Sequence, residues 1–408
     1  MKKVQVGLLG LGSVGRKVLE IFYAKPSEQL ELMWTADSKR FFRRKDGEAF
    51  TRKNLRAILQ MKENESEAEM KQTVRDDSIE IVNFSNTSQE VSLVKDEIAD
   101  GKWIAIDSTY SKADTAYEIA TRLFDSSIFS FITASKTAWA NHDMCLKLYS
   151  KARETKTFLG LNCTLGVWVD QMEYLPLFLK LLGREKGLIA KRDNSSLNLF
   201  FTRLNQGWSP KKAFENVVAG GYLEPGAINL VPEVRDQIIK LKAAANLCSA
   251  MTGFVLEKSD RASDEVEDDL VSKADNKELA KWFISGRKDG HYPALLSSIA
   301  IDGDGETINL EIKFSELDSE HVLAKDFPGK NAVSVRKSGR GSEFAHAGYG
   351  GAPKTATKLI WEAERVSRLS DSGRRLSKFE PMPIITAVEL HDPDALQKQA
   401  SIVSMISK

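Results

Sequence analysis

Val4 to Leu9 form a short apolar run, and Val14, Val18, Ile21 and Phe22 follow at helical spacing, so a buried strand passes directly into a helix. Leu30–Thr35, Ile79–Phe84, Trp103–Ile106 and Ile128–Ile132 are the next strand-like runs, with amphipathic stretches around 88–99 and 112–124 between them. Strand and helix in alternation predict a parallel sheet covered on both faces. The densely charged stretch 39–76 is expected to be mostly helical, an insertion over the second crossover. From about residue 141 the rhythm changes to helices at 142–154, 170–183, 208–217 and 232–250, interleaved with a polar segment at 191–200. Strands return as Leu295–Ile301 and Thr307–Phe314, joined through Asp302-Gly303 and Asp304-Gly305, both hairpin-turn pairs. No internal repeat is visible.

Composition narrows the partners. The 408 residues are 42% hydrophobic and 28% charged, with a formal net charge of +1. Such a balance lacks the concentrated basic field that nucleic acid or an anionic membrane surface requires, and points to small-molecule chemistry. Cys145, Cys163 and Cys248 are far apart without metal-ligand spacing, and read as buried small hydrophobes in a reducing compartment. No metal site is expected. The glycine-broken N-terminal run does not read as a secretory leader, and no run of apolar residues is expected to span a bilayer. A cytoplasmic location is expected.

Gly10-Leu11-Gly12-Ser13-Val14-Gly15 lies between the first strand and the first helix. Gly10 permits the tight turn, Gly12 lets backbone approach a pyrophosphate, and Gly15 lets the helix lie against the strand. The helix start presents unpaired N–H groups to the anion. Together these predict an α/β fold opening with a Rossmann-type doubly wound sheet that binds NADP or NAD. Asp37 ends the second strand, where an acidic residue would hydrogen-bond the adenosine ribose of NAD. Lys39 and Arg40 follow at once, and such cations accommodate the 2′-phosphate of NADP, for which there is a slight preference.

Later segments carry chemistry only in combination. Thr133-Ala134-Ser135-Lys136 follows a strand, Asn194-Ser195-Ser196-Leu197-Asn198 lies mid-chain, and Gly221-Tyr222-Leu223-Glu224-Pro225 precedes a helix with Asp236 and Lys240. Gly348-Tyr349-Gly350-Gly351 leads to Pro353-Lys354-Thr355-Ala356. Taken alone, Asp236 and Lys240 are an i,i+4 ion pair worth a few tenths of a kcal/mol, Asn194 and Ser196 are turn and cap residues, and Thr355 marks a plain helix start. In this order and at these separations, from residue 3 to about 365, the segments resemble those of homoserine dehydrogenases.

The resemblance implies NAD(P)-dependent interconversion of L-homoserine and L-aspartate 4-semialdehyde, a step of amino-acid biosynthesis towards threonine and methionine. It implies catalysis by Lys136 and Lys240 with Asp236, and binding of an amino-acid substrate by Glu224, Ser196 and Asn194. Cofactor contacts fall to Gly10, Gly12, Ser13, Val14, Gly15, Asp37, Lys39, Arg40, Gly350 and Thr355. A lysine that takes the hydroxyl proton must be neutral, and a nearby cation or burial would lower its pKa for the task. The resemblance also implies a homodimer joined through Leu295–Phe314. The expected layout is a dinucleotide domain (1–140), an α+β catalytic and dimerisation domain (141–340), a return segment (341–366) and a tail (367–408). That tail is too short for the ACT-type regulatory domain of some relatives.

Several positions depart from the family pattern. Ser135 stands where an asparagine is usual and Thr137 where a second lysine is, and 160–168 lacks the glutamate and proline of the monovalent-cation segment. Ile228, Asn229 and Leu230 replace an acidic pair. Hydride-transfer machinery is thus better kept than homoserine recognition. Two alternatives stay open: a dehydrogenase of another amino acid or amino-aldehyde, and a dinucleotide-binding sensor without turnover.

Overall fold

The computed structural model describes residues 3–371 apart from 64–76, 86–88, 90–91, 95–96, 98–102, 127, 166–186, 224–227, 253–254, 257–280, 282–290, 302–306, 319–320, 322, 325–329, 338–342 and 350. The first sheet holds seven strands in the order β4-β3-β2-β1-β5-β6-β7. These are β1 (Val4–Leu9), β2 (Leu30–Ala36), β3 (Arg40–Arg44), β4 (Ile79–Asn83), β5 (Trp103–Asp107), β6 (Ser130–Thr133) and β7 (Phe158–Gly160). From β2 to β7 the pairing is parallel, and β3 and β4 extend it antiparallel. The result is an α/β sheet of Rossmann type with an antiparallel edge.

Helices cover both faces. On one face α1 (Ser13–Ala24) buries Val18, Leu19 and Phe22, each worth roughly 1.5–3 kcal/mol. Beside it lie α2 (Arg52–Glu63) and the last described helix, introduced below. The other face carries α3 (Ala113–Asp125), whose Ile119, Leu123 and Phe124 pack with Phe131 of β6. Two further helices, α4 (Thr137–Ala140) and α5 (His142–Thr155), fill the crossover from β6 to β7. The sheet therefore runs past residue 140, where sequence periodicity placed a change of domain.

The second sheet has the order β13-β12-β8-β10-β11-β9, formed by β8 (Gly187–Arg192), β9 (Val255–Leu256), β10 (His291–Ile301), β11 (Thr307–Asp318), β12 (Lys330–Lys337) and β13 (Glu343–Tyr349). In chain order the remaining helices are α6 (Asn162–Leu165), α7 (Ser195–Asn205), α8 (Pro210–Ala219), α9 (Val231–Thr252) and α10 (Ala352–Asp371). The expected return segment thus begins in β13 at the edge of the second sheet, and α10 alone packs back against α1 and the first sheet.

The 22-residue α9 joins the two halves. Ala243, Ala244 and Ala245 are fully buried, and their small side chains let α9 approach α4 and α5 closely. Asn246 donates to Trp139 O at 3.0 Å, while Gln237 donates to Leu295 O of β10 at 3.1 Å.

One local expectation fails in part. Within 39–76, residues 40–44 form a strand because Phe41 and Phe42 are both buried, one on each face. The arginines around them are tied to acids, Arg40 to Asp37 and Arg43 to Glu80, so charge hid the strand. The polar segment 191–200 is an interior strand end and a helix buried almost throughout, its charges paired inside. The expected helix at 170–183, the Asp-Gly turns and most of the tail lie outside the described residues. All three cysteines are buried thiols, and burial pushes Cys248 up to about 12. Among the described residues, no helix is long and apolar enough to cross a membrane.

Candidate active site

The glycine turn is built for a phosphate. Gly10 has φ of +85°, and a Cβ there would meet the backbone of Thr109 at 2.8 Å. At Gly15 a Cβ would lie 1.8 Å from Gly10 O, so any side chain would force strand and helix apart. Gly12 differs: its Cβ would meet nothing within 4 Å, so the open space in front of it is not needed for packing. Gly12 is the N-cap of α1, with no side-chain cap and no acidic residue in the first turn. Ser13 is exposed and Val14 half-buried beside it. Uncapped N–H groups facing open space at a strand's C-terminal end are what a pyrophosphate fits.

The acid at the end of β2 is already spoken for. Asp37 Oδ1 accepts the N–H groups of Lys39 and Arg40 at 2.9 and 2.8 Å. Its Oδ2 lies 2.6 Å from Arg40 Nη2 and 3.4 Å from Lys62 Nζ of α2. Asp37 is 6% exposed, and it closes a turn and neutralises two cations. Burial alone would raise its pKa, but the hydrogen bonds and Arg40 hold it below the ordinary carboxylate range. Arg40 is correspondingly an ion-paired strand residue, whereas Lys39 is exposed.

From this turn a single loop leads to the lysines. Ser108 Oγ lies 2.8 Å from Gly10 O and 2.9 Å from Leu9 O, donating to the pair. Three residues on, Ser111 O accepts from Thr137 Oγ1 at 2.9 Å, at the start of α4. Asp107 fixes both ends: it accepts from Thr109 N, Thr109 Oγ1 and, at 2.8 Å, Thr133 Oγ1. Burial pushes its carboxyl up, against these hydrogen bonds. Asp107 was missed in the sequence, where its signal is an acid closing the apolar run Trp103–Ile106 just before Ser108 and Thr109.

Lys136, the N-cap of α4, reaches Asp236 Oδ1 at 3.2 Å. Lys240, one turn along α9 from Asp236, approaches its Oδ2 at 2.6 Å. The i,i+4 pair is therefore no surface decoration: a third charge from the other sheet completes it, and the Lys240 side chain is only 11% exposed. Lys240 Nζ also donates to Asp193 O at 2.8 Å. Asp193 is locked by a buried ion pair with Lys191 at 2.9 Å. Burial disfavours the Lys240 ammonium, but Asp236, Asp193 and Glu233 outweigh it, and its pKa lies above the ordinary lysine value. The expected lowering is thus reversed, because the attraction of the surrounding acids outweighs burial. Asp236 is lowered despite its own burial, by Lys136 and Lys240.

Asn194 serves two ends at once. Its Oδ1 accepts Leu197 N at 2.9 Å and caps α7, while Nδ2 donates to Glu233 Oε2 at 2.8 Å and Asp236 Oδ2 at 3.1 Å. Ser196 Oγ donates to Tyr222 O at 2.9 Å and is shared with the Glu233 carboxylate. Thr355 sits in the first turn of α10, bonded back to Gly351 O at 3.1 Å. Glu224 and Gly350 lie outside the described residues. Chemically, the site offers two ammoniums on one carboxylate, at the same strand-end edge of the first sheet as a phosphate-ready turn. Such a set can stabilise and protonate a developing alkoxide.

No family model matches the chain, and no curated protein does. Among solved structures, a hyperthermophilic archaeal homoserine dehydrogenase in complex with NADPH is similar at TM-score 0.62 and 20% identity, over 90% of this chain and 98% of that one. The homoserine dehydrogenase of Thermoplasma acidophilum is similar at TM-score 0.58 and 15% identity, over 90% and 100%. A Candida auris protein of unknown function gives 0.59 and 16%, over 90% and 99%. The chain has the homoserine dehydrogenase fold.

Proposed function

We propose that this chain is a nicotinamide-dependent dehydrogenase that interconverts L-homoserine and L-aspartate 4-semialdehyde. The observation that carries the reading is the pair of lysines, from different halves of the molecule, converging on Asp236 at the C-terminal edge of the first sheet. That edge is where open α/β sheets bind ligands. Gly10, Gly12, Ser13, Val14 and Gly15 hold the pyrophosphate, and Gly350 and Thr355 are assigned as further cofactor contacts. Arg40 and Lys62 pair with Asp37 and the Lys39 side chain is exposed beside them, cations that favour the 2′-phosphate of NADP over the bare ribose of NAD. The bound nicotinamide supplies or takes the hydride. The NADPH complex and the homoserine dehydrogenases among the structural neighbours support this reading.

In the reducing direction Lys240 donates to the substrate's carbonyl oxygen. Two of its three N–H groups are held by Asp236 and Asp193 among the described residues, which aims the third. It then passes its proton to the alkoxide. Lys136 and Asp236 keep the ammonium in place and balance its charge. Glu224 and Ser196 contact the amino-acid end, and two copies of the chain pair through β10 and β11. A second reading, another amino-aldehyde as substrate, is favoured by Ile228, Asn229 and Leu230 in place of an acidic pair.

The test is absorbance at 340 nm with purified protein, homoserine, and NADP or NAD in parallel at alkaline pH. A rise with homoserine supports the activity and ranks the cofactors. No rise, with NADPH binding still seen by fluorescence, moves the weight to another substrate or to a non-catalytic role.

A further inference from the structure

Behind Lys240 lies a pair of charges that the proposed reaction does not use. Lys191 and Asp193 stand at the end of β8, an interior strand of the second sheet held between β10 and β12. Two residues apart on extended chain, they fall on one face. Ammonium and carboxylate meet at 2.9 Å, with side chains 1% and 0% exposed. Ser297 of β10 places its hydroxyl 3.3 Å from the other oxygen of Asp193. The backbone carbonyl of Asp193 accepts from Lys240 Nζ at 2.8 Å.

Stability does not explain such a pair, because apolar side chains of the same volume are often as stable in the same place or more so. Its direction does. Asp193 is the member that acts on Lys240, whereas the charge of Lys191 acts on the Cys248 thiol, about two turns further along α9. The pair turns its negative end toward the catalytic ammonium and its positive end away. The titratable groups that meet Lys240 are Asp236 and Glu233 on its own helix, Asp193 from β8 and, across Asp236, Lys136 at the start of α4. Asp236 is 28% exposed and open to substrate and solvent. Asp193 is sealed, so it acts on Lys240 in the same way whether the site is empty or filled. A charge fixed before the reaction needs no rearrangement during it.

We infer that Lys191 and Asp193 form a positioning pair for Lys240: Lys191 anchors the Asp193 carboxylate, which presents a fixed negative charge to the catalytic ammonium while the Asp193 carbonyl aims it. The inference rests on the dehydrogenase reading above. Being sealed, neither residue meets substrate or cofactor, and both act only through Lys240.

The test follows homoserine oxidation, which needs a neutral Lys240, across alkaline pH in wild type, Asp193→Asn, Lys191→Met and the double variant. Removing the near charge lowers the proton affinity of Lys240 about tenfold, so the Asp193→Asn profile levels off about one pH unit below wild type. Lys191→Met stays at or above wild type, and the double variant falls between. The double variant also covers a failure of Asp193→Asn to fold around the Lys191 ammonium, and its Tm stays close to wild type. Competitive acetylation of Lys240 with acetic anhydride, read by peptide mass spectrometry, gives the same ordering without turnover. A purely structural pair would lower kcat or Tm and leave every profile and labelling midpoint where wild type has it, and that result overturns the inference. So does an Asp193→Asn midpoint at or above that of Lys191→Met. A wild-type protein that does not turn over homoserine overturns the dehydrogenase reading, and the labelling midpoints then decide the pair by themselves.

Discussion

Replacing Lys240 by methionine separates catalysis from folding and from cofactor binding. Methionine keeps most of the aliphatic stem and removes the ammonium, which lies 2.6 Å from Asp236 and 2.8 Å from Asp193 O. Breaking a fully buried pair costs roughly 3–5 kcal/mol. Asp236 is 28% exposed and retains Lys136 and Asn194, so the expected loss is smaller, roughly 1–3 kcal/mol, and lowers Tm by a few degrees. The glycine turn shares no hydrogen bond with Lys240, so the Kd for NADPH stays within about twofold. Turnover loses both the alkoxide-stabilising charge and the proton donor, a fall in kcat of roughly 100- to 10,000-fold. NADPH oxidation with aspartate semialdehyde, a fluorescence titration with NADPH and a thermal melt read the three quantities. A kcat within about tenfold of wild type, with the melt shifted as expected, would remove Lys240 from the mechanism.

The same electrostatics set the pH behaviour. Lys240 lies above its ordinary pKa, so its pairing is complete below the ordinary lysine value and is lost only as pH rises through the folded one. Aldehyde reduction should stay level to about pH 10 while homoserine oxidation keeps climbing, and an oxidation plateau near about pH 8 would contradict this. Asp236 is lowered, so its contribution holds above the ordinary carboxylate value and disappears as pH falls through the depressed one, below about pH 4 in a melt series. Gly12→Ala meets open space and should keep Tm while weakening NADPH binding at least about tenfold; Gly15→Ala, 1.8 Å from Gly10 O, should lose both, and equal melts would refute the distinction. Arg40→Ala should lower the ratio of kcat/KM for NADP to that for NAD roughly tenfold. An unchanged ratio would confine Arg40 to the Asp37 turn.

Local patterns were enough for the glycine turn, the alternating strands and helices of the first sheet, and the long helices at 142–155, 210–219 and 231–252. Each rests on spacing within one element, where a period of 3.6 residues or a tight turn leaves its mark directly on the chain. Charges facing inward defeated the same method. Lys191, Arg192 and Asp193 read only as part of a polar segment between helices, yet 187–192 is a strand of the second sheet and Asp193 and Asn194 are buried beside the lysines. Asp37 ends its strand as a ribose-binding acid would, but only the fold brings Lys62 against it, 25 residues further on.

What the sequence determined by itself was the order of the elements, the phosphate-ready turn and the identity of the charged residues available for chemistry. The tertiary structure decided which of those charges meet. Lys136 and Asp236 are a hundred residues apart in the chain, and no local period links them; the packing of α9's small residues against α4 brings them to 3.2 Å. It also decided the proton affinity of Lys240, because a pKa is set by the sum of neighbouring charges and by burial, and both belong to the folded molecule rather than to the chain.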